Sequence, residues 1–222
     1  MWMDEGFNTF INEHASRVFN HGEYADTSKQ AQRVLAQIRN INDPLMTAPE
    51  AIGLNAYGQY YFKTALGLDM LRNVVVGQDR FDYAFREYVK HWAFKHPLPY
   101  DFFRAMNDAT GEDLNWFWKP WFTTTWKLDQ AIDTVRYVKG NPSNGALITL
   151  VNKEKMVMPV DLKITQENGK TEIIHLPVNI WQRGGTWTFQ YASTSAIKSL
   201  ELDPGRELPD VDRKNNVYSK SF

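Results

Sequence analysis

The sequence predicts a multi-domain α + β protein, an α-helical half followed by a small antiparallel β-sandwich. Over about the first 125 residues, apolar side chains recur every three or four positions, the spacing of helices with one buried face. From about residue 128 the pattern changes to the alternation typical of strands, interrupted by glycine- and asparagine-rich turns. We therefore predict a helical domain over 1–127, a β-sandwich over 128–204 and an extended tail over 205–222.

The helical half is predicted from spacing and from stop signals. Asn20-His21-Gly22 ends the first helix, and Asn42-Asp43-Pro44 follows the second. The third helix is apolar around most of its circumference, so we expect it to be buried on several sides and to end at Gly77. The predicted helices run over 2–19, 27–40, 55–76, 79–95, 100–108 and 114–122.

The second half is predicted as short antiparallel strands. Asn168-Gly169 is a strong hairpin signal, because both residues tolerate the positive φ that a type I′ turn requires. Regular short strands with such turns are typical of a sandwich. The six predicted strands are 131–139, 146–152, 159–166, 171–178, 186–191 and 197–202.

The overall composition excludes several classes of function. The formal net charge of the 222 residues is −1, whereas a nucleic-acid-binding domain carries a strong basic excess. No apolar run reaches the length of a membrane-spanning helix. The chain has no cysteine, so disulfides and thiolate metal sites are excluded. Aromatic residues make up 14% of the chain, which predicts large packing surfaces.

The histidines do not form a local metal site. No two of the five are separated by three residues, so the pair of imidazoles of a helix-borne zinc site is not encoded in one segment. We interpret His14 as a helix-face residue and His91 and His96 as surface residues. A glycine-rich phosphate loop and a nucleophile-elbow serine are also absent from the sequence.

Two groups of polar residues in the helical half have more than one interpretation. Glu5 lies in the first turn of the first helix, where a carboxylate complements the positive end of the helix dipole. Tyr57, Tyr60, Tyr61 and Lys63 lie in the most apolar helix. Buried phenols need hydrogen-bond partners and a buried lysine is costly. Either the phenols are satisfied core residues and Lys63 extends to the surface, or these residues belong to a site.

Two segments carry a resemblance to a known family: Trp2-Met3-Asp4-Glu5-Gly6-Phe7 and Tyr61-Phe62-Lys63-Thr64. They resemble, in that order, the W-x-x-E-G-F and Y-x-K-G segments of the gluzincin aminopeptidases, which include aminopeptidase N and leukotriene A4 hydrolase. The resemblance continues through 111–117 and covers about residues 1–125. The sandwich, with its Leu202-Asp203-Pro204 ending, is similar to the β-domain of some bacterial members.

The resemblance implies a zinc site to which this chain contributes one ligand. In the family, an H-E-x-x-H helix supplies two zinc-binding histidines and a general-base glutamate, and the W-x-x-E-G-F glutamate is the third ligand. The resemblance thus implies Glu5 as the metal ligand and Tyr61 as a catalytic residue, whose phenol stabilises the oxyanion of the tetrahedral intermediate. Thr64 stands where the family has glycine, a change that we expect the helix to absorb.

The H-E-x-x-H motif and the segment that binds the substrate's free amine are not found in the sequence. We therefore expect the chain to be the C-terminal portion of a zinc aminopeptidase that removes N-terminal residues from peptides, with the missing N-terminal half of the same protein as its partner. Zinc is expected in the full-length protein, and none on this portion alone, which we expect to be inactive. Self-association through uncovered apolar helix faces is also expected.

Two alternatives stay open. The helices and sandwich could form a non-catalytic module that binds a peptide or another protein, or the chain could come from a catalytically dead family member. The gene sequence upstream of Glu5 distinguishes the three interpretations. An intact H-E-x-x-H helix supports the peptidase, a start codon at Met1 with nothing in frame before it supports the binding module, and a broken histidine pair supports the dead member. The resemblance fits a periplasmic and a cytoplasmic protein equally.

Overall fold

The computed structural model describes residues 1–25 and 30–219; within the second helix the side chains of Gln30 and Ile38 lie outside the description. The chain folds into two compact units, Met1–Thr125 and Trp126–Phe222. The first unit is helical and the second is built from two antiparallel sheets, so the predicted fold class is confirmed. None of the helices in the described residues is long and apolar enough to cross a membrane.

The described residues of the first unit form six α-helices. These are α1 (Trp2–Val18), α2 (Gln30–Ile38), α3 (Gln59–Met70), α4 (Gln78–Trp92), α5 (Pro99–Thr110) and α6 (Asn115–Thr123). Their bounds agree with the predicted ones to within a few residues, except at the third helix, where 3-10 geometry over Leu54–Ala56 precedes α3 and a π-helical turn over Leu71–Val75 follows it. Residues 27–29, the predicted start of the second helix, lie outside the described residues.

The π-helical turn is tied to α4 by a bidentate ion pair. The Arg72 guanidinium donates from Nε to Asp82 Oδ1 at 2.6 Å and from Nη2 to Asp82 Oδ2 at 2.8 Å. Gly77 follows the turn with a φ of 91°, a conformation that glycine adopts without steric cost. The helical run therefore ends at the predicted glycine, and α4 begins one residue later.

Aromatic packing fixes the N-terminal turn of α1. Trp2 is only 4% exposed, and its ring centroid lies 4.6 Å from that of Phe122 in α6. Phe7, one turn further along, packs against Phe102 of α5 at 4.9 Å. Such ring pairs combine large buried apolar area with defined relative orientations. They hold the first turn of α1 against α5 and α6.

Helices α1 and α3 approach each other closely at Gly6. A Cβ atom at this position would lie 2.2 Å from Cγ2 of Thr64 and 2.8 Å from the carbonyl oxygen of Tyr60. Both distances are too short for real contacts, so only glycine fits between the two helices. The glycine of the E-G-F segment thus sets the spacing between α1 and α3.

The second unit is a sandwich of two antiparallel sheets. One sheet has the strand order β1-β2-β5 and the other β4-β3-β6-β7. The strands are β1 (Gln130–Tyr137), β2 (Ala146–Asn152), β3 (Val160–Gln166), β4 (Thr171–Leu176), β5 (Thr186–Tyr191), β6 (Ile197–Leu202) and β7 (Val217–Ser219). The alternation of β3, with every second residue buried, places its apolar side chains in a core shared with β2 and β6.

The hairpin predicted at Asn168-Gly169 joins β3 and β4, but its turn is not type I′. Gly169 has a φ of 87°, whereas Asn168 is not among the residues with positive φ. The Asn168 side chain instead accepts a hydrogen bond from the Lys170 backbone N–H at 3.0 Å. Asparagine forms such local side-chain turns readily, and this one takes the place of the predicted backbone geometry.

The segment predicted as an extended tail packs into the second unit. Asp210 is 2% exposed, and its Oδ2 accepts from the Gln130 backbone N–H at 2.8 Å. Val217–Ser219 then forms the seventh strand, β7, which pairs with β6. The binary pattern missed this because buried apolar residues such as Leu208 are few in the segment, and polar side chains that accept backbone hydrogen bonds hold much of it.

Candidate functional site

The structure brings Glu5 and Tyr61 together. The Tyr61 hydroxyl donates a hydrogen bond to Glu5 Oε1 at 2.7 Å, although the two residues lie 56 positions apart in the sequence. Glu5 lies in the first turn of α1 and Tyr61 in the first turn of α3. Both side chains are only partly buried. The pair therefore joins the N-terminal ends of two helices at a place that other groups can reach.

The local environment keeps the Tyr61 phenol protonated. The hydrogen bond to the Glu5 carboxylate, helped by desolvation, raises the pKa of Tyr61 to about 12. The rings of Tyr57 and Phe62 lie beside the Tyr61 ring, with centroids at 6.5 and 6.2 Å. At neutral pH Tyr61 is therefore a hydrogen-bond donor with a restrained ring, and it is not a base.

Lys63 does not extend to the surface, contrary to one interpretation of the sequence. It is 7% exposed, and its ammonium lies 5.3 Å from the ring centroid of Trp121 in α6. Burial lowers the pKa of Lys63 to about 8. The indole N–H of Trp121 donates to the Lys63 carbonyl oxygen at 3.1 Å, so Trp121 packs against α3 at Lys63.

Tyr60 of α3 is a satisfied core residue, as the same interpretation expected. Tyr60 is 0% exposed, and its hydroxyl donates to the carbonyl oxygen of Thr47 at 2.5 Å. Tyr60 and Tyr61 are neighbours in sequence, yet the Tyr60 phenol bonds to the protein backbone and the Tyr61 phenol lies at the candidate site.

The histidines lie elsewhere. His14 Nε2 pairs with Asp69 Oδ1 at 2.8 Å, and the exposed His175 pairs with Asp161 at 2.6 Å in the second unit. His91 and His96 are exposed, as predicted. No group of three or more His, Cys, Asp or Glu side chains within residues 1–25 and 30–219 is arranged to hold a metal ion. Of the groups that the sequence suggested, Glu5 and Tyr61 are therefore the ones that converge.

Two features of this region were not predicted from the sequence. One is the contact of Gly6 with Thr64, for which the only sequence signal is a glycine inside a helix. The other is the pairing of His14 with Asp69 across α1 and α3. Asp69 is an acidic residue in a mostly apolar helix, which indicates a need for a partner but does not identify it.

Comparison with known structures supports the fold. The structure is similar to that of Legionella pneumophila aminopeptidase A in complex with aspartic acid, with a TM-score of 0.65 and 15% sequence identity. The similarity covers 94% of this chain but only 23% of the Legionella chain, so the present chain spans about a quarter of that protein's length. At this identity the likeness concerns the fold alone. A comparison with curated proteins finds no match.

The sequence itself matches a family model. The model described as the peptidase family M1 domain matches residues 1–121, which is more than half of the chain and includes both Glu5 and Tyr61. The extent of this match, together with the helical fold of the matched residues, establishes the relationship. The chain belongs to peptidase family M1.

Proposed function

We propose that this chain supplies one zinc ligand, Glu5, and one oxyanion-stabilising group, Tyr61, to the active site of an aminopeptidase. The observation that carries the proposal is the 2.7 Å hydrogen bond between the two side chains, which joins the two motifs at one point. The remaining ligands, two histidines of an H-E-x-x-H helix, would come from a further segment of a longer protein, since the sequence lacks this motif.

The chemistry of Glu5 fits a metal ligand. Its Oε1 accepts the Tyr61 hydrogen bond, and within the described residues no hydrogen bond is found to Oε2. Zinc binds carboxylate oxygens, and a catalytic zinc site keeps three protein ligands and one open position. A half-buried carboxylate with one oxygen oriented by a phenol therefore suits the role of a single ligand in such a set. Outer partners of this kind typically orient metal-binding groups.

The chain's own groups have defined tasks in this proposal. When bound in such a site, zinc supplies Lewis acidity that activates water and polarises the peptide carbonyl. The Tyr61 phenol, protonated because its pKa is about 12, donates a hydrogen bond to the oxygen that gains negative charge during attack on the peptide bond. Glu5 orients the phenol in the absence of substrate, and Trp2 holds the helix that carries Glu5.

The first prediction tests both roles in the full-length protein with an aminoacyl-anilide cleavage assay. Tyr61→Phe should lower kcat about 10²–10³-fold, because a single oxyanion donor contributes that much. Glu5→Gln should lower activity further and reduce the zinc content, measured by atomic absorption, because an amide is a poorer ligand than a carboxylate. The 222-residue chain alone should be inactive in the same assay.

Tyr60→Phe is the matched control. It removes the hydroxyl of the neighbouring tyrosine, which is bonded to the Thr47 carbonyl oxygen and not to Glu5. It should lower stability while kcat stays within a few-fold of the wild-type value. Full activity in both Glu5→Gln and Tyr61→Phe would show that the assignment is wrong.

A further inference from the structure

Two side-chain pairs bridge α1 and α3, one near each end of their contact. Glu5 pairs with Tyr61, and His14 pairs with Asp69 at 2.8 Å. The paired positions increase together along both helices, with sequence offsets of 56 and 55 residues, so α1 and α3 run in the same direction. Between the two pairs, Gly6 brings the helices into contact. His14 lies nine positions after Glu5 in α1, about two and a half turns further along, so the pairs hold opposite ends of the contact.

The second pair is buried on the aspartate side. Asp69 is 5% exposed, and within the described residues its Oδ2 has no hydrogen-bond partner. The imidazole of His14 is packed against the Phe10 ring, with centroids 4.5 Å apart. Removing the partner of a buried carboxylate leaves an unsatisfied charge, which costs more than the hydrogen bond itself contributes. The helices would relieve that cost by moving so that water reaches Asp69.

We propose that His14 and Asp69 are positioning residues for the candidate site: the pair fixes the axial register of α1 against α3 and thereby the distance between the Glu5 carboxylate and the Tyr61 phenol. Because a helix is rigid along its axis, a shift at His14 moves Glu5 by the same distance. A slip of one residue corresponds to about 1.5 Å along the axis. Neither residue contacts Glu5 or Tyr61 in the hydrogen-bonded network described above, so the pair acts through the helices. The kinetic part of this inference rests on the proposed function; the register itself does not.

The register can be measured on the chain without any activity. The sequence has no cysteine, so nitroxide labels introduced at the exposed positions Asn8 and Asn73 attach nowhere else. Double electron–electron resonance gives the distribution of distances between the two labels, which should have one narrow maximum in the wild-type background. His14→Met fills the imidazole's space without a donor and should shift or broaden that maximum by about 1–2 Å, of the order of one residue of helix rise. His14→Gln retains an N–H donor and should keep the wild-type distance.

The full-length protein tests the consequence for catalysis. His14→Met should lower kcat about 10–100-fold with KM within threefold, because small misplacements of catalytic groups have effects of that size. His14→Gln should restore most of the loss. The matched control is His175→Met, which removes the other His–Asp pair, at 2.6 Å in the second unit, and should leave kcat unchanged.

Each outcome decides one part of the inference. An unchanged label distance in His14→Met overturns the register role. A changed distance with wild-type kcat overturns the link to the site while leaving the register role standing. The proposed function fails separately, when Glu5→Gln and Tyr61→Phe retain activity, and that result leaves the label measurement unaffected.

Discussion

Asp203 in the second unit and two carboxylates of the helical unit, Glu5 and Asp69, have different numbers of hydrogen-bond donors around them. In the second unit Asp203 accepts from the backbone N–H groups of Glu207 and Leu208 at 2.9 and 3.1 Å and from Arg213 at 2.6 Å. In the helical unit Glu5 and Asp69 each accept from one side chain, at 2.7 and 2.8 Å. Nearby donors occupy both oxygens of Asp203, whereas Glu5 and Asp69 each have one oxygen without a hydrogen-bond partner among residues 1–25 and 30–219.

This difference separates carboxylates that shape the chain from carboxylates that connect elements or serve chemistry. Backbone N–H donors close to Asp203 in sequence fix the path of one loop, and the group has little capacity left for a ligand. Glu5 and Asp69 form hydrogen bonds to residues more than 50 positions away in the sequence, so these bonds depend on how α1 lies against α3. In the helical unit, one helix–helix contact therefore serves both the fold and the candidate site.

The largest expected effect comes from a matched pair of tryptophans, one in each unit. Trp121 donates its indole N–H to the Lys63 carbonyl oxygen at 3.1 Å, and Trp181 donates to the Met158 carbonyl oxygen at 2.9 Å. Each substitution to alanine should lower the free energy of unfolding of its unit by about 3–5 kcal/mol. Only Trp121→Ala should also lower kcat of the full-length protein, because Trp121 packs against α3, which carries Tyr61.

Circular dichroism during thermal unfolding measures the loss of stability. The anilide assay measures kcat at a temperature where both variants remain folded. Trp181→Ala is the control for a loss of stability without a change at the site. An equal loss of kcat in both variants would remove the distinction between the units.

A smaller effect is expected at Lys63, whose charge is buried without an ion pair to the described residues. The pKa of Lys63 falls from 10.5 to about 8 on burial. The folded state thus binds the proton more weakly than the unfolded state. The resulting cost is fully present below pH 8 and is relieved as the pH rises from about 8 to 10.5, so this group makes stability increase with pH in that window.

Lys63→Met should therefore raise the free energy of unfolding at pH 7 by up to about 3 kcal/mol, the equivalent of the pKa shift. The cation–π contact with Trp121 offsets part of this gain. The variant should also lose the rise in stability between pH 8 and 10, measured by urea unfolding at several pH values. Arg213→Met is the contrasting control, because its cation is paired with Asp203 at 2.6 Å and its loss should destabilise. If Lys63→Met is less stable than wild type at pH 7, the ammonium has a stabilising interaction that outweighs the cost of burying its charge.

Sequence patterns predicted the helices and strands well and the tail poorly. The change from a three-to-four-residue period to alternation locates the second unit because side-chain burial dictates both periods. The segment after residue 204 has few apolar residues in register, and carboxylates such as Asp210, which bond to distant backbone groups, hold it in place. Periodicity carries no information about such polar contacts.

For the candidate site, the motifs identified the residues but not how they are joined. The resemblance singled out Glu5 and Tyr61, but the hydrogen bond between them depends on the register of two helices. That register results from contacts with weak sequence signals, namely Gly6 against Thr64 and His14 with Asp69. The expectation that α3 absorbs a threonine in place of glycine holds because Gly6 leaves room for its side chain.

The smallest expected effect concerns this glycine–threonine contact. Gly6→Ala places a methyl group 2.2 Å from Thr64 Cγ2 and should cost about 1–3 kcal/mol through overpacking. Thr64→Gly removes the clashing side chain and should itself cost up to about 1 kcal/mol, since glycine disfavours a helix. The double variant should be more stable than the sum of the single effects predicts, which is the signature of a direct contact.

Gly58→Ala is the control for replacing a glycine near the same helices. Its φ is −61°, and a Cβ there meets nothing within 4 Å, so this variant should be neutral or slightly stabilising. Chemical unfolding gives all four free energies. Additive effects of Gly6→Ala and Thr64→Gly would mean that α1 can move away from α3 without cost. In that case the distance between nitroxide labels at Asn8 and Asn73 would change in the single variant Gly6→Ala. Gly6 would then not set the spacing of the contact that joins Glu5 to Tyr61.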